Sequence, residues 1–263
     1  MDLGIRGKNA LVAAASKGIG KATAMGLAQE GVNVCICSRS QENIEAAAEE
    51  IRAATDVTVE CIAADVSQTG DCDTAARHAI NKLGGVDILV NNAGGPPRGY
   101  FEQFDDADWQ SAFEMNTMSA IRLSRAVLPH MHEQKWGRII NLTSISVKQP
   151  IPDLMLSNSV RAAVHGWAKS LADQVAGDNI TVNNVCTGLI LTDRTREGLA
   201  FASKESGRPE AEIQKEMEAK VPLGRYGQPE ELADTAVFLA SERAAYVTGV
   251  SILVDGGFYR GLM

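Results

Sequence analysis

Several strand-length stretches of this chain are apolar almost without interruption, and helical segments separate them in regular alternation. VDILVNN (86–92) and NVCICS (33–38) are the clearest. A strand exposed on one face alternates apolar and polar residues. A continuous apolar run instead belongs to a strand covered on both faces, as in a parallel sheet between two layers of helices. The remaining strand-like runs are ALVAAA (10–15), VTVECIAAD (57–65), GRIINLTS (137–144), ITVNNVCTG (180–188) and VSILVDGG (250–257). Helical patterns fall at about 18–30, 41–54, 71–83, 107–135, 155–177 and 229–241. Seven strands alternating with helices predict an α/β chain with a doubly wound, seven-stranded parallel sheet and helices on both faces. No linker-like break in composition divides it, so residues 1–263 read as a single domain. Residues 192–222 are the one long interruption, charged and helix-prone with Gly198 and Gly207, and read as a candidate substrate lid.

Composition narrows the functional classes. A net charge of −8 argues against broad nucleic-acid binding and against an anionic membrane surface. No apolar run approaches the ~20 residues that span a bilayer. The opening MDLGIRGKNALVAAAS has no cleavable-signal pattern. Five cysteines, an odd number, then suggest reduced thiols and a cytoplasmic protein. Cys35 and Cys37 share one face of a strand and read as core. His130 and His132 flank no other ligand-type residue at metal spacing, so no metal site is expected.

The chemistry begins at AAASKGIG (13–20), a loop that follows a strand and opens a helix. Gly18 and Gly20 allow a pyrophosphate to approach the backbone, and the helix N-terminus supplies N–H donors. Two glycines alone are a weak signal, but their place between a strand and a helix reads as the dinucleotide-binding loop of a Rossmann fold. An acidic residue at the end of the second strand would select NAD through the ribose hydroxyl. Here that strand ends in Ser38-Arg39, and the loop carries Lys17. Two cations at one 2′-phosphate favour NADP(H).

With these features in place, the sequence resembles the short-chain dehydrogenase/reductase family, its 3-oxoacyl-(acyl-carrier-protein) reductase-like branch in particular, from about residue 4 to 257. AAASKGIG resembles the family's TGxxxGxG loop, with Ala14 where the first glycine stands and Ser16, Lys17 and Ile19 among its cofactor-facing residues. Asp65-Val66 match the pair that holds the adenine. NNAG (91–94), including Asn92, Ala93 and Gly94, matches the motif lining the cofactor groove. Asn116 matches the asparagine of the fourth helix, Ser144 the catalytic serine, and Ile190 and Thr192 positions near the carboxamide. The resemblance implies a mechanism in which a tyrosine is the acid–base catalyst. A lysine four residues on lowers its pKa and holds ribose, the serine polarises the carbonyl, and the asparagine keeps a water in a proton relay.

At the tyrosine and lysine places this chain has Ser157 and Arg161, in LSNSVR (156–161). The family's Pro-Gly after the sixth strand is Thr187-Gly188. The four tyrosines, Tyr100, Tyr226, Tyr246 and Tyr259, lie elsewhere. An aliphatic alcohol is a far weaker acid than a phenol, whose pKa is ~10, and guanidinium stays charged where a lysine could release its proton. Arg161 is therefore expected to keep its cationic role toward ribose while the usual proton path is lost. Lys148 and Asp153 lie in the intervening loop as alternative proton sources, and each also reads as an ordinary surface or turn residue. His165 reads as a helix-packing residue. Two functions stay open. One is an NADP(H)-dependent oxidoreductase on a carbonyl or secondary alcohol with a non-standard proton donor. The other is an impaired or non-redox member that binds NADP(H) as a sensor or structural ligand. A small-molecule substrate is expected, with no nucleic-acid or membrane partner. The resemblance implies a homo-oligomer, dimer or tetramer.

Overall fold

The computed structural model describes residues 1–262. The strands are β1 (Asn9–Val12), β2 (Asn33–Ser38), β3 (Val59–Ala63), β4 (Ile88–Asn91), β5 (Gly137–Ser144), β6 (Ile180–Thr187) and β7 (Ser251–Val254). They form one sheet in the order β3-β2-β1-β4-β5-β6-β7, parallel at every pairing. Strand order reverses between β1 and β4. The crevice beyond the carboxyl ends of these two strands is where an open α/β sheet binds its ligand.

Two apolar cores explain the uninterrupted runs. Ala10, Val12, Ile36, Ile88 and Ile140 pack against α1 (Gly18–Gln29), α2 (Gln41–Ala54) and α9 (Pro229–Leu239). Leu11, Cys35, Leu89, Ile139 and Val182 pack on the opposite face against α3 (Thr69–Leu83), α5 (Ser119–Gln134) and α6 (Met155–Val175). Cys35 and Cys37 are free, fully buried members of the second core, in line with the expected packing role.

The predicted helix over 107–135 is three pieces: α4 (Asp106–Phe113), a wide π turn at Glu114–Met118, and α5. Such π turns inside helices gather at functional sites, and this one holds Asn116. β1 ends at Val12, three residues earlier than the apolar run suggests, because Ala14 turns into the left-handed region (φ 47°). The 192–222 interruption contains α7 (Asp193–Ser206) and α8 (Glu210–Lys220), which close a small core of their own around Leu199, Ile213 and Tyr226. Among the described residues no helix is long and apolar enough to cross a membrane, and no cluster of metal-ligating side chains occurs.

Candidate active site

The loop after β1 is stitched to both neighbouring strands. Ala13 N donates to Val90 O and Ala15 N to Cys37 O, each at 3.0 Å. Asn92 Nδ2 then donates to Ala14 O at 3.1 Å, so the NNAG segment braces the turn. A side chain at Gly20 would sit 2.5 Å from Ala14 O and 2.8 Å from Asn92 Nδ2. The helix must come that close for its first turn to lie against the loop. That turn carries no acidic residue, and the N-cap Lys17 makes no capping hydrogen bond. Free backbone N–H groups without a competing carboxylate suit a pyrophosphate. Gly18 (φ 55°) faces Thr192, whose Cγ2 would lie 3.4 Å from an added Cβ. Thr192 in turn caps α7. Ser38 is buried at the end of β2, its hydroxyl donating to Ser40 O. Lys17 and Arg39 are exposed, and neither enters an ion pair or a side-chain hydrogen bond among the described residues. Asp65 is held after β3 by Ser67, whose N–H and hydroxyl donate to Oδ1 at 3.0 and 2.8 Å, and Val66 is buried beside it.

Ser144 closes β5 as the cap of a short turn over Ile145–Val147. Its Oγ accepts from Ser146 N at 3.1 Å, which orients the oxygen and leaves the hydroxyl proton available to a substrate carbonyl. Ser157 lies in the first turn of α6. It is buried, and its hydroxyl makes no hydrogen bond to the described residues, so no neighbour acts on it as a base or acid.

Arg161, expected from the sequence to face ribose, is in this structure bonded to backbone carbonyls. Its guanidinium is engaged internally, Nη1 donating to Leu142 O at 3.2 Å and Nη2 to Ala93 O at 3.4 Å. These bonds pin the end of β5 to the segment after β4. Burial pulls its pKa down, with the like charge of Arg194 adding to the effect. Beside it is a small, partly open pocket of about 10 Å³, room for one water, whose walls include Asn91, Asn116, Asn141 and Arg161. The Oδ1 atoms of Asn91 and Asn116 are buried without a partner among the described residues.

The other candidate proton sources differ in their surroundings. Asp153 is bound by Arg98, whose Nε and Nη2 both reach Oδ2 at 2.7 Å. Lys148 is half-buried, and its charge acts on His165 and Cys186. His165 is a packing histidine held between Thr143 Oγ1 at 2.9 Å and Ser251 Oγ at 3.0 Å. Burial, with Lys148 and Arg161, pushes its pKa down to about 4, so it is neutral near pH 7.

Reading the sequence missed two features. One is a row of buried amides across the sheet. Asn91 Nδ2 donates to Asn141 Oδ1 at 2.9 Å, Asn141 Nδ2 to Asn184 Oδ1 at 2.9 Å, and Asn184 Nδ2 to Ser251 Oγ at 3.1 Å. Its signal was present, since each asparagine interrupts an otherwise apolar strand and a buried amide needs partners. The other is Arg194, which donates to Pro96 O at 2.5 Å across the crevice. Nothing in its local sequence separates it from an ordinary helix-surface cation.

Comparison with known proteins agrees with this geometry. The family model described as enoyl-(acyl carrier protein) reductase matches residues 13–259. An uncharacterized oxidoreductase of Bacillus subtilis, YvrD, is 34% identical over the full length of both chains. The 3-oxoacyl-[acyl-carrier-protein] reductase FabG of Aquifex aeolicus is 34% identical, covering 98% of this chain and 100% of that one. Among solved structures, L-sorbose reductase from Gluconobacter frateurii, complexed with NADPH and L-sorbose, superposes with a TM-score of 0.95 at 36% identity over 100% of both chains. YwfH, an NADPH-dependent reductase involved in bacilysin biosynthesis, superposes at 0.92 with 31% identity, covering 97% of this chain and 99% of that one. The motifs, the sheet order and these full-length likenesses have one explanation: the chain belongs to the short-chain dehydrogenase/reductase family.

Proposed function

We propose that this protein is an NADP(H)-dependent oxidoreductase that reduces a carbonyl, or oxidises the corresponding secondary alcohol, without a side-chain phenol as proton donor. The observation that carries this reading is the Ser144 hydroxyl. Its oxygen is fixed by Ser146 N, and its proton is free at the carboxyl end of a central strand. Lys17, in the phosphate loop at the start of α1, and Arg39, just after β2, are uncommitted and suit a 2′-phosphate. The NADPH complex of L-sorbose reductase and the NADPH dependence of YwfH support the same cofactor.

NADPH, when bound, supplies the hydride. Ser144 polarises the carbonyl by donating a hydrogen bond to its oxygen, where negative charge develops. Asn92, Gly20 and the first turn of α1 hold the loop that receives the pyrophosphate. Ser157 leaves room at the tyrosine place, so the proton comes from water or from the substrate itself. General acid catalysis contributes ~10²–10⁴-fold, and hydride transfer survives its loss at a lower rate. Arg161 positions the Ala93 and Leu142 carbonyls and so shapes the floor of the site. α7 and α8 act as the lid.

A homo-oligomer is part of the same reading. An open apolar groove lined by Trp109, Phe113, Val160 and Ala163 runs between α4 and α6, and size-exclusion chromatography with light scattering would test its burial. The function is tested by titrating the purified protein with NADPH and NADH, then following NADPH oxidation against a carbonyl panel in the parent and in Ser144→Ala. Tight NADPH binding and turnover that falls with Ser144→Ala are expected. Absence of cofactor binding would remove the reading. Binding without turnover on any carbonyl would turn it to a protein that uses NADP(H) as a ligand only, the alternative favoured by the silent Ser157 hydroxyl.

A further inference from the structure

Three guanidinium groups converge on the six residues 93–98. Arg161 Nη2 donates to Ala93 O, Arg194 Nη2 donates to Pro96 O, and Arg98 belongs to the segment itself. Arg194 lies so close over Gly95 that an added Cβ there would meet its Nε at 2.8 Å. Arg98 reaches the lid, its Nη1 lying 3.1 Å from where a Cβ on Gly198 would be.

Carboxylates that could balance these charges are few. Asp153 is taken up by Arg98. Glu197 approaches Arg194 at 3.4 Å from an exposed position, one turn along α7, where solvent weakens the pair. Arg161 has no acidic partner among the described residues, and the like charge of Arg194 adds to burial in lowering its pKa. Two guanidiniums of like charge, both half-buried, therefore face the same segment, and among the described residues only the exposed Glu197 pairs with either of them. The segment directly follows β4, and Arg161 ties it to β5, the strand whose last residue is Ser144.

An oxyanion between them would relieve the repulsion and take the paired hydrogen bonds that a guanidinium fork offers. We infer that the substrate carries a carboxylate beside its carbonyl, a short oxo acid, and that Arg194 is the residue that recognises it. This rests on the carbonyl-reductase reading above and names the substrate class for that site. Arg194 sits in the first turn of α7, so anion binding also draws the lid onto the 93–98 segment.

The experiment separates this inference from the reading beneath it. 3-Oxobutanoate and its methyl ester are titrated calorimetrically against protein saturated with NADP⁺, where no reduction can occur. The acid is expected to bind at least tenfold more tightly than the ester. Arg194→Ala should lose most of that preference, Arg194→Lys should keep part of it, and the NADP⁺ affinity and melting temperature of both variants should stay at the parent's values. With NADPH, the acid's KM should rise in Arg194→Ala more than its kcat falls. Equal binding of acid and ester, binding of neither, or an acid affinity indifferent to Arg194→Ala would overturn the inference. So would a loss of NADP⁺ affinity in Arg194→Ala, which would assign the residue to the cofactor phosphates. Failure of NADP⁺ or NADPH to bind the parent protein would instead be failure of the reductase reading.

Discussion

Ser157→Tyr puts a phenol one helical turn before Arg161, and the consequence can be worked out in advance. Residues four apart on a helix have their Cβ atoms about 6 Å apart. A unit charge at that distance, at an effective dielectric of about 20, is worth about 3 kcal/mol, or about two pKa units. The cation favours the phenolate, so the phenol falls from its usual ~10 to about 8. Arg161 is lowered to about 10 by burial and so remains charged there. Reduction needs the protonated phenol, so the variant's kcat should be flat below about pH 8 and decline above it. Oxidation of the alcohol needs the phenolate and should rise through the same range. The parent, with no phenol at this place, should lack both limbs. Proton donation by a placed side chain is worth ~10²–10⁴-fold, and at least a tenfold gain in kcat for reduction is expected at pH 7. Ser157 is buried, so the added ring can cost about 1–3 kcal/mol by overpacking, read as a fall in melting temperature. The assay is NADPH oxidation from pH 6 to 10 with a saturating carbonyl. A pH profile superimposable on the parent's, at unchanged NADPH affinity, would refute the placement of residue 157 at the reacting oxygen.

Two further outcomes follow from the cofactor crevice. Lys17→Ala and Arg39→Ala should each weaken NADPH binding by about tenfold or more and leave NADH binding nearly unchanged, as read by cofactor fluorescence, since charge-assisted hydrogen bonds to phosphate are the strong ones. Gly20→Ala should abolish dinucleotide binding and lower the melting temperature, because its Cβ would strike Ala14 O and Asn92 Nδ2. Gly70→Ala, in α3 with nothing within 4 Å of the new carbon, should instead be neutral or stabilise by up to about 1 kcal/mol in a denaturant titration.

The fold was legible because burial on both faces leaves an unmistakable trace: runs such as DILVNN have no polar face to alternate. The phosphate loop was legible because a close helix approach can use only glycine at position 20. Boundaries were less so. ALVAAA stays apolar through the Ala13–Ala15 turn, since those alanines are covered by neighbouring strands even where they are no longer extended. The break at Glu114–Met118 leaves no mark in a periodicity that resumes in α5. At the site, Ser144 could be located from its motif, but the direction of Arg161 could not. Whether that side chain meets ribose or backbone carbonyls depends on β4 and β5, about 68 and 19 residues away in the chain. Arg194 was invisible for the same reason, as its partners lie 98 residues earlier.

His165 offers the sharpest separation between packing and catalysis. The ring accepts or donates on both nitrogens, to Thr143 and Ser251, and is held neutral by burial and by the charges of Lys148 and Arg161. In the unfolded chain the imidazole takes a proton near pH 6.5. In the folded chain it resists until about pH 4. The unfolded state therefore binds more protons throughout that window, and stability falls as pH drops from 6.5 towards 4. Two and a half units correspond to about 3 kcal/mol at the lower end, a shift of the order of 10 °C in melting temperature for a chain of this size. Carboxylates titrate over part of the same range, so the informative quantity is the difference between parent and His165→Gln. That difference should be constant above pH 6.5 and shrink steadily, in the variant's favour, down to pH 4. His165 touches neither Ser144 nor the phosphate loop, so NADPH affinity at pH 7 should be unmoved. A parent–variant gap independent of pH would mean that the imidazole titrates in the fold as it does in the unfolded chain, and that neither burial nor the charges of Lys148 and Arg161 hold it neutral.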